Sequence, residues 1–300
     1  MKTPAAVIDK VFLRNVLFAT DFSFGSMKAL PYVTSIARSF DSKVCIAHVV
    51  PPEDYPSGLN SLVEAAQIAR GEAQLKMSSF LNSASCKNLA CEGAVGTGDI
   101  WIGLSDFMRR NATDLLVMGT IGRTGLRKFL LGSVAEETMR ESRCPVLTVG
   151  PKCHAAQEIE FRNILYATDF STDSLAAAPY ALAFSRNYRS RLTLLHGLEG
   201  LPESPYLDAQ MARVRLRELV PQRGDLGPEP EVMVEPGAPA KVILKAAADT
   251  ASDLIVIGAR GAGALPRLAS HFGSVAHKIV CRAVCPVLTV RPLTDRNKEQ

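Results

Sequence analysis

Leu115-Leu-Val-Met-Gly119-Thr-Ile-Gly122, then nine residues, then Gly132-Ser133-Val134, is the stretch whose reading decides the fold. The apolar run reads as a buried strand. Gly-x-x-Gly after it makes a turn with little side-chain bulk, where backbone N–H groups can close on an anion. Gly132-Ser133 opens an amphipathic helix that runs to Glu141, and its first N–H groups lack intrahelical partners while its dipole favours negative charge. Two donor clusters therefore face one anion. A single glycine pair also fits an ordinary turn, so the rest of the chain must decide.

The pattern returns. Leu254 to Ile257 leads into Gly258-Ala-Arg-Gly261, with Gly273-Ser274 further on. Eleven residues separate Gly261 from Gly273, but nine separate Gly263 from Gly273, so the second loop is either lengthened by two residues or shifted in register. Asn15-Val-Leu-Phe-Ala-Thr-Asp21-Phe-Ser23 is echoed by Asn163-Ile-Leu-Tyr-Ala-Thr-Asp169-Phe-Ser171 at an offset of 148 positions, which His48 and His196 share. Asp114 and Asp253 differ by 139, and Cys144-Pro-Val-Leu-Thr-Val149 and Cys285-Pro-Val-Leu-Thr-Val290 by 141. Two copies with a period near 150 residues mean domain duplication and not a solenoid. We therefore expect domains at 1–150 and 151–300, with the linker near Pro151 to Glu160. A domain of about 150 residues buries roughly 70% of its unfolded surface and needs no staple.

Within the first half the order of elements is legible. Strands are expected at Val16–Ala19, Val44–Val50, Ala90–Val95, Leu115–Met118 and Val146–Val149, with helices at Phe24–Phe40, Leu59–Leu81, Asp99–Arg110 and Ser133–Glu141. Alternating strands and helices imply right-handed βαβ crossovers and a mainly parallel sheet. The expected fold is two tandem open doubly wound α/β domains, each a five-stranded sheet flanked by helices. Ligands in such sheets sit beyond the strand carboxyl ends at the switch point, where Thr20-Asp21 and Gly119 to Gly122 both fall.

Composition excludes several classes. A formal net charge of +4, spread along the chain, is too weak to argue for nucleic acid. No apolar run approaches a membrane span, and residues 1–14 lack the apolar core of a signal peptide, so the cytoplasm is the expected location. Seven cysteines without a C-x-x-C pair read as reduced thiols. His48 and His196 each end an apolar strand without a second ligand at metal spacing, and read as hydrogen-bonded core residues. No Walker-type lysine motif is present, and Gly261-x-Gly263 follows a fourth strand, which fits a dinucleotide fingerprint poorly.

Ala-Thr-Asp-Phe-Ser after the first strand, His-Val near the end of the second, Gly-x-x-Gly-x9-Gly-Ser and the final Cys-Pro-Val-Leu-Thr-Val strand together resemble the universal stress protein family, as a tandem two-domain member. The resemblance covers essentially the whole chain. It implies an adenine-nucleotide α-hydrolase-like fold in which one branch binds ATP through the glycine loop and another does not. Carried across, Thr20 and Asp21 lie against the nucleoside, and Val49 meets the adenine edge through its backbone. Met118 and Gly119 lie near the ribose, while Gly122, Gly132, Ser133 and Val134 hold the phosphates. Arg123, Arg127 and Lys128 are loop cations that could add charge there. In the second half Thr168, Asp169, Gly258, Gly261, Gly273 and Ser274 match. Gly197 stands where the first half has Val49, and Pro266 and His271 fall inside the longer loop.

Three readings stay open at this point. The leading one is a regulatory module holding ATP in the first domain, with Mg²⁺ arriving on the nucleotide and held by phosphates and water. A second is a slow ATPase or autophosphorylating protein with Ser133 or Ser274 as acceptor; no catalytic base is evident beside the loop except Asp21. The third is a nucleotide-free interaction protein. In the resembled family the last strand pairs across a dimer, which a tandem chain could reproduce internally as a pseudo-dimer through Val146–Val149 and Val287–Val290. Further homodimerisation is not readable.

Overall fold

The computed structural model describes residues 11–59, 61–83, 86–87, 89–122, 131–154, 158–199, 205–220, 228–261 and 273–292. They fall into two compact units, one built on Leu13–Pro151 and the other on the chain from Glu160 onward.

In the first unit β1 (Asn15–Ala19), β2 (Lys43–Val50), β3 (Cys91–Thr97), β4 (Leu115–Gly119) and β5 (Val146–Val149) lie in the order β3-β2-β1-β4-β5, and every pair is parallel. The helices are α1 (Phe24–Met27), α2 (Leu30–Phe40), α3 (Leu62–Leu81), α4 (Ile100–Arg110) and α5 (Ser133–Glu141). The second unit repeats the plan with β6 (Asn163–Ala167), β7 (Arg191–Leu198), β8 (Glu231–Pro236), β9 (Leu254–Gly258) and β10 (Val287–Val290), ordered β8-β7-β6-β9-β10. Its helices are α6 (Thr172–Tyr188), α7 (Pro205–Glu218), α8 (Pro239–Asp249) and α9 (Ser274–Arg282).

Helices covering both faces explain why the central strands are apolar without alternation. Leu17, Phe18, Leu115, Leu116 and Leu147 are wholly buried, as are Leu165, Leu254 and Leu288 in the second unit. A carboxylate fixes the start of each first strand. Asp114 Oδ2 accepts the Arg14 and Asn15 N–H groups at 2.8 and 2.9 Å, and Asp253 Oδ2 accepts those of Arg162 and Asn163, both at 2.9 Å. This bond is the reason an aspartate precedes β4 and β9.

The expected helix Phe24–Phe40 is two pieces, α1 and α2, parted at Lys28-Ala29. Pro31 lies in the first turn of α2, where its missing N–H costs nothing. In the second unit the matching Pro179 sits inside the continuous α6. The third strand runs from Cys91 to Thr97, two residues further than the expected end, and α3 starts at Leu62 with Ser61 as its cap, not at Leu59. Asp99 caps α4 from outside, accepting the Ile102 N–H at 2.8 Å. No helix among the described residues is long and apolar enough to cross a membrane.

The described cysteines are free thiols. Burial pushes Cys144 from 9.0 up to about 11 and Cys285 up to about 12, the latter with help from nearby Cys153 and Asp253. A raised thiol pKa means that the folded state holds the proton after the unfolded chain has lost it. The stabilisation is therefore complete below about pH 9 and is lost as pH rises towards 11, on the order of 1 kcal/mol per pH unit for each thiol. A Cys144→Ala/Cys285→Ala protein is expected to show a shallower fall of melting temperature between pH 9 and 11 than the wild type. Parallel curves would remove these thiols as the cause.

Candidate functional site

The carboxyl ends of β1 and β4 form the switch point of the first unit, since the strands that follow each lie on opposite sides of it. Thr20 and Asp21 shape the turn after β1 with their own side chains. Thr20 Oγ1 accepts the Phe22 N–H at 2.9 Å, and Asp21 Oδ1 accepts the Ser23 N–H at 2.9 Å. Between them Phe22 takes a left-handed backbone at φ 58°, a strained conformation that these two bonds hold in place. Ser23 then caps α1 through the Ser26 N–H, and the Ser26 hydroxyl meets Thr20 Oγ1 at 2.9 Å. The buried Thr20 hydroxyl is thus engaged in the turn.

His48 belongs to the same network. Its Nδ1 is 2.8 Å from the Thr20 carbonyl oxygen, a contact that places the proton on Nδ1, and its ring meets Phe22 edge-on at 5.0 Å. The second unit repeats each part: Thr168 to Phe170 N–H, Asp169 to Ser171 N–H, Phe170 at φ 60°, and His196 Nδ1 at 2.7 Å from the Thr168 carbonyl. Both histidines hold the turn; His48 is buried as expected of a hydrogen-bonded core residue, whereas His196 is half-buried.

Val49 sits one strand away. The Lys43 and Thr20 bonds show that odd-numbered residues of β2 direct their N–H and C=O towards β1, whereas the Val44 and Val50 bonds point to β3. Beyond Ala47 the paired part of β1 has ended. Val49 therefore presents its backbone donor and acceptor over the Thr20-Asp21 turn, while its side chain is buried against α4, where a Cβ built on Gly103 would meet it at 2.7 Å. By the same alternation Gly197 faces the end of β6. Replacing valine by glycine there changes packing beside Pro239 and Val242 and leaves the backbone edge in place.

The glycine loop closes the other side. None of Gly119, Gly122, Gly132, Gly258, Gly261 and Gly273 has a left-handed backbone, so these glycines answer to space and not to turn geometry. A Cβ on Gly119 would lie 2.9 Å from the Gly25 carbonyl oxygen and from Ser26 Cα. On Gly122 it would lie 2.8 Å from Asp21 Oδ2, which brings the aspartate of the first turn against the second glycine of the loop. Gly132 donates its N–H to the Thr120 carbonyl at 2.9 Å and ends as the N-cap of α5.

Among the described residues no side chain caps α5, nor α2 and α8, whereas Ser23, Ser61, Asp99 and Ser171 cap α1, α3, α4 and α6. The first intrahelical bond of α5 is Glu136 N–H to the Gly132 carbonyl, so the N–H groups of Ser133, Val134 and Ala135 have no partner within the helix. Helix α9 has the same build. Gly273 caps it without a side chain, gives its N–H to the Ala259 carbonyl at 3.0 Å, and accepts from His277.

That match settles the register of the second loop. A Cβ on Gly261 would lie 2.8 Å from Asp169 Oδ2, as on Gly122 from Asp21. Gly261 is the counterpart of Gly122, and the loop is lengthened, not shifted. Helix α9 keeps the relation to its strand end that α5 has to β4. Gly263, Pro266 and His271, like Arg123, Arg127 and Lys128, lie outside the described residues. Met118 is buried in β4 and paired across from Ala19, so a ligand there would meet its backbone.

The sequence reading passed over Ser26 and Ser174, although Ser-x-x-Ser recurs at the same offset of 148 positions and was the available signal. It also passed over Asp173, whose carboxylate pairs with the loop residue Arg260 at 3.0 Å. No group of three or more His, Cys, Asp and Glu side chains suited to a metal ion occurs among the described residues.

Each unit is thus an open α/β domain of the doubly wound class, with an aspartate turn and an uncapped helix terminus at its switch point. The sequence matches the Universal stress protein family over residues 13–150 and again over 160–291, and the chain belongs to that family with two such domains in tandem. A universal stress protein of Thermus aquaticus is 35% identical over 139 residues, which cover 44% of this chain and 99% of that protein. One half of the chain therefore corresponds to a whole relative. A universal stress protein of Mycolicibacterium smegmatis is 24% identical over 294 residues, covering 93% of this chain and 97% of its own. The crystal structure of a universal stress protein from Archaeoglobus fulgidus shares the fold with a TM-score of 0.71 at 22% identity, covering 92% of this chain and 98% of that one.

Proposed function

We propose that the chain is a nucleotide-dependent regulatory module that binds ATP at the switch point of its first domain, with Mg²⁺ carried on the phosphates. The observation that carries this reading is the N-terminus of α5, which has no side-chain cap at Gly132 and is tied to the end of β4 by the Gly132 N–H bond to the Thr120 carbonyl, so that Ser133, Val134 and Ala135 open the helix beside the strand end. Three aligned donors at the positive end of a helix suit a phosphate group. The backbone of Val49 offers one donor and one acceptor, which suits the edge of an adenine ring. Thr20 and Asp21 would lie against the nucleoside, and Met118 and Gly119 would approach the ribose through backbone atoms.

The same geometry in the second domain supports a second site at Thr168, Asp169, Gly258, Gly261, Gly273 and Ser274. The reading is retention and not turnover. Asp21 Oδ1 accepts the Ser23 N–H, which assigns this carboxylate a part in the turn, and the nucleotide released on denaturation decides between retention and turnover.

Freshly purified protein, denatured and resolved by chromatography and mass spectrometry, is expected to release intact ATP at about one or two per chain. ADP would point to the ATPase reading. No released nucleotide, together with no uptake of added ATP and Mg²⁺, would leave the interaction-protein reading in front.

A further inference from the structure

The two domains differ at a pair of positions that meet beside the glycine loop. Gly25 of the first domain corresponds to Asp173, and Ile121 to Arg260. In the first domain the loop backbone comes down on the glycine: a Cβ on Gly25 would be 2.3 Å from the Ile121 carbonyl oxygen. In the second domain a side chain occupies that place and the loop is tied through side chains instead. Arg260 Nε donates to Asp173 Oδ2 at 3.0 Å and Nη2 donates to Oδ1 at 3.3 Å, a fork matched to a carboxylate. The Asp173 side chain is only 8% exposed and that of Arg260 25%, so the pair is held largely away from water. Ser171 Oγ also reaches the Arg260 carbonyl at 3.4 Å.

We propose that Asp173 and Arg260 are positioning residues that clasp the second glycine loop to the start of α6, setting the donors of that loop before a ligand arrives and slowing ligand release from the second domain. The second half of this statement rests on the nucleotide reading above; the first does not. Arg260 serves as a clasp and not as a free phosphate ligand, because drawing it away would leave a buried carboxylate without its partner. Donors fixed in advance raise affinity by removing an ordering cost, and such gains appear mainly in the dissociation rate. The first domain has no side chain at residue 25 and an apolar one at residue 121, so it lacks this device.

The test uses the full chain with Asp173→Gly/Arg260→Ile, which gives the second loop the residues of the first and leaves no orphaned charge. Amide hydrogen exchange is read in nucleotide-free protein. Exchange at Arg260 and Gly261 is expected to rise about tenfold relative to wild type, with Ile255 to Ile257 of β9 unchanged and Arg260→Lys in between. Unchanged exchange at Arg260 and Gly261, or a uniform rise through β9 that marks general loosening, would overturn the clasp. The dissociation of ATP·Mg²⁺ is then followed in Gly122→Val protein, where only the second site remains. About tenfold faster release from the variant supports the proposal, and equal rates overturn the effect on release. No binding by the Gly122→Val parent would overturn that effect together with the nucleotide reading of the second domain, while the exchange result continues to decide the clasp on its own.

Discussion

Gly122→Val is expected to cost the first domain on the order of 100-fold in ATP affinity, about 2.7 kcal/mol, while changing its stability by less than about 1 kcal/mol. The two halves of that expectation come from one contact. Among the described residues the nearest atom to a new Cβ is Asp21 Oδ2 at 2.8 Å, the tip of a side chain, and apart from the chain neighbours no described backbone atom lies within 4 Å. The fold therefore tolerates the substitution. The site does not, because the isopropyl group displaces the carboxylate assigned to the nucleoside and adds bulk at the second glycine of the loop. Isothermal titration with ATP and Mg²⁺, beside a thermal melt, checks both halves. Undiminished affinity in a folded variant would remove Gly122 from the site. Gly261→Val makes the same test in the second domain, where Asp169 Oδ2 stands at 2.8 Å.

Gly258→Ala should do the opposite, destabilising the second domain by about 3 kcal/mol for a single methyl group. Here the new Cβ meets backbone: Ser174 N at 2.5 Å, the Asp173 carbonyl carbon at 2.7 Å and Ser174 Cα at 2.8 Å. Those atoms belong to the first turn of α6, which cannot yield singly. Either the helix moves off the sheet or β9 bends, and both disturb a close-packed core around Leu165 and Ile255. At roughly 2–4 °C per kcal/mol, the melting temperature of this domain should fall by about 6–12 °C. A calorimetric scan in which Gly258→Ala melts with the wild type would contradict the packing role. Gly122→Ala serves as the control, a glycine of the first loop whose nearest neighbour can move.

The contrast between these glycines marks what the sequence could and could not tell. The succession of strands and helices, the duplication and the glycine loop were readable because the central strands are apolar almost throughout and the repeat preserves Ala-Thr-Asp-Phe-Ser residue by residue. Gly119 and Gly122 look alike in sequence, yet one answers to the backbone of α1 and the other to a carboxylate. That distinction depends on what lies across the sheet. The break between α1 and α2 was hidden for a related reason. Pro31 and Pro179 occupy equivalent places, and only the local packing decides whether the helix restarts or continues.

The longer second loop left the placement of α9 open, since two added residues could have moved the helix. The Gly273 to Ala259 hydrogen bond fixes it in the same relation as Gly132 to Thr120. Val49 and Gly197 seemed to differ at the proposed adenine edge, but strand alternation puts backbone and not side chain there. The Asp173–Arg260 pair joins residues 87 positions apart, and no local pattern announces it.

The claim on which the account rests is that phosphate sits on the uncapped end of α5. The most direct measurement is a backbone ¹⁵N–¹H titration with ATP and Mg²⁺, following the amides of Gly132 to Ala135 and Gly273 to Ala276. Ser133, Val134 and Ala135 are expected to shift first and furthest, with Ser274, Val275 and Ala276 following if the second site fills. Saturating ATP that leaves all of these amides unmoved, or moves others instead, would contradict it.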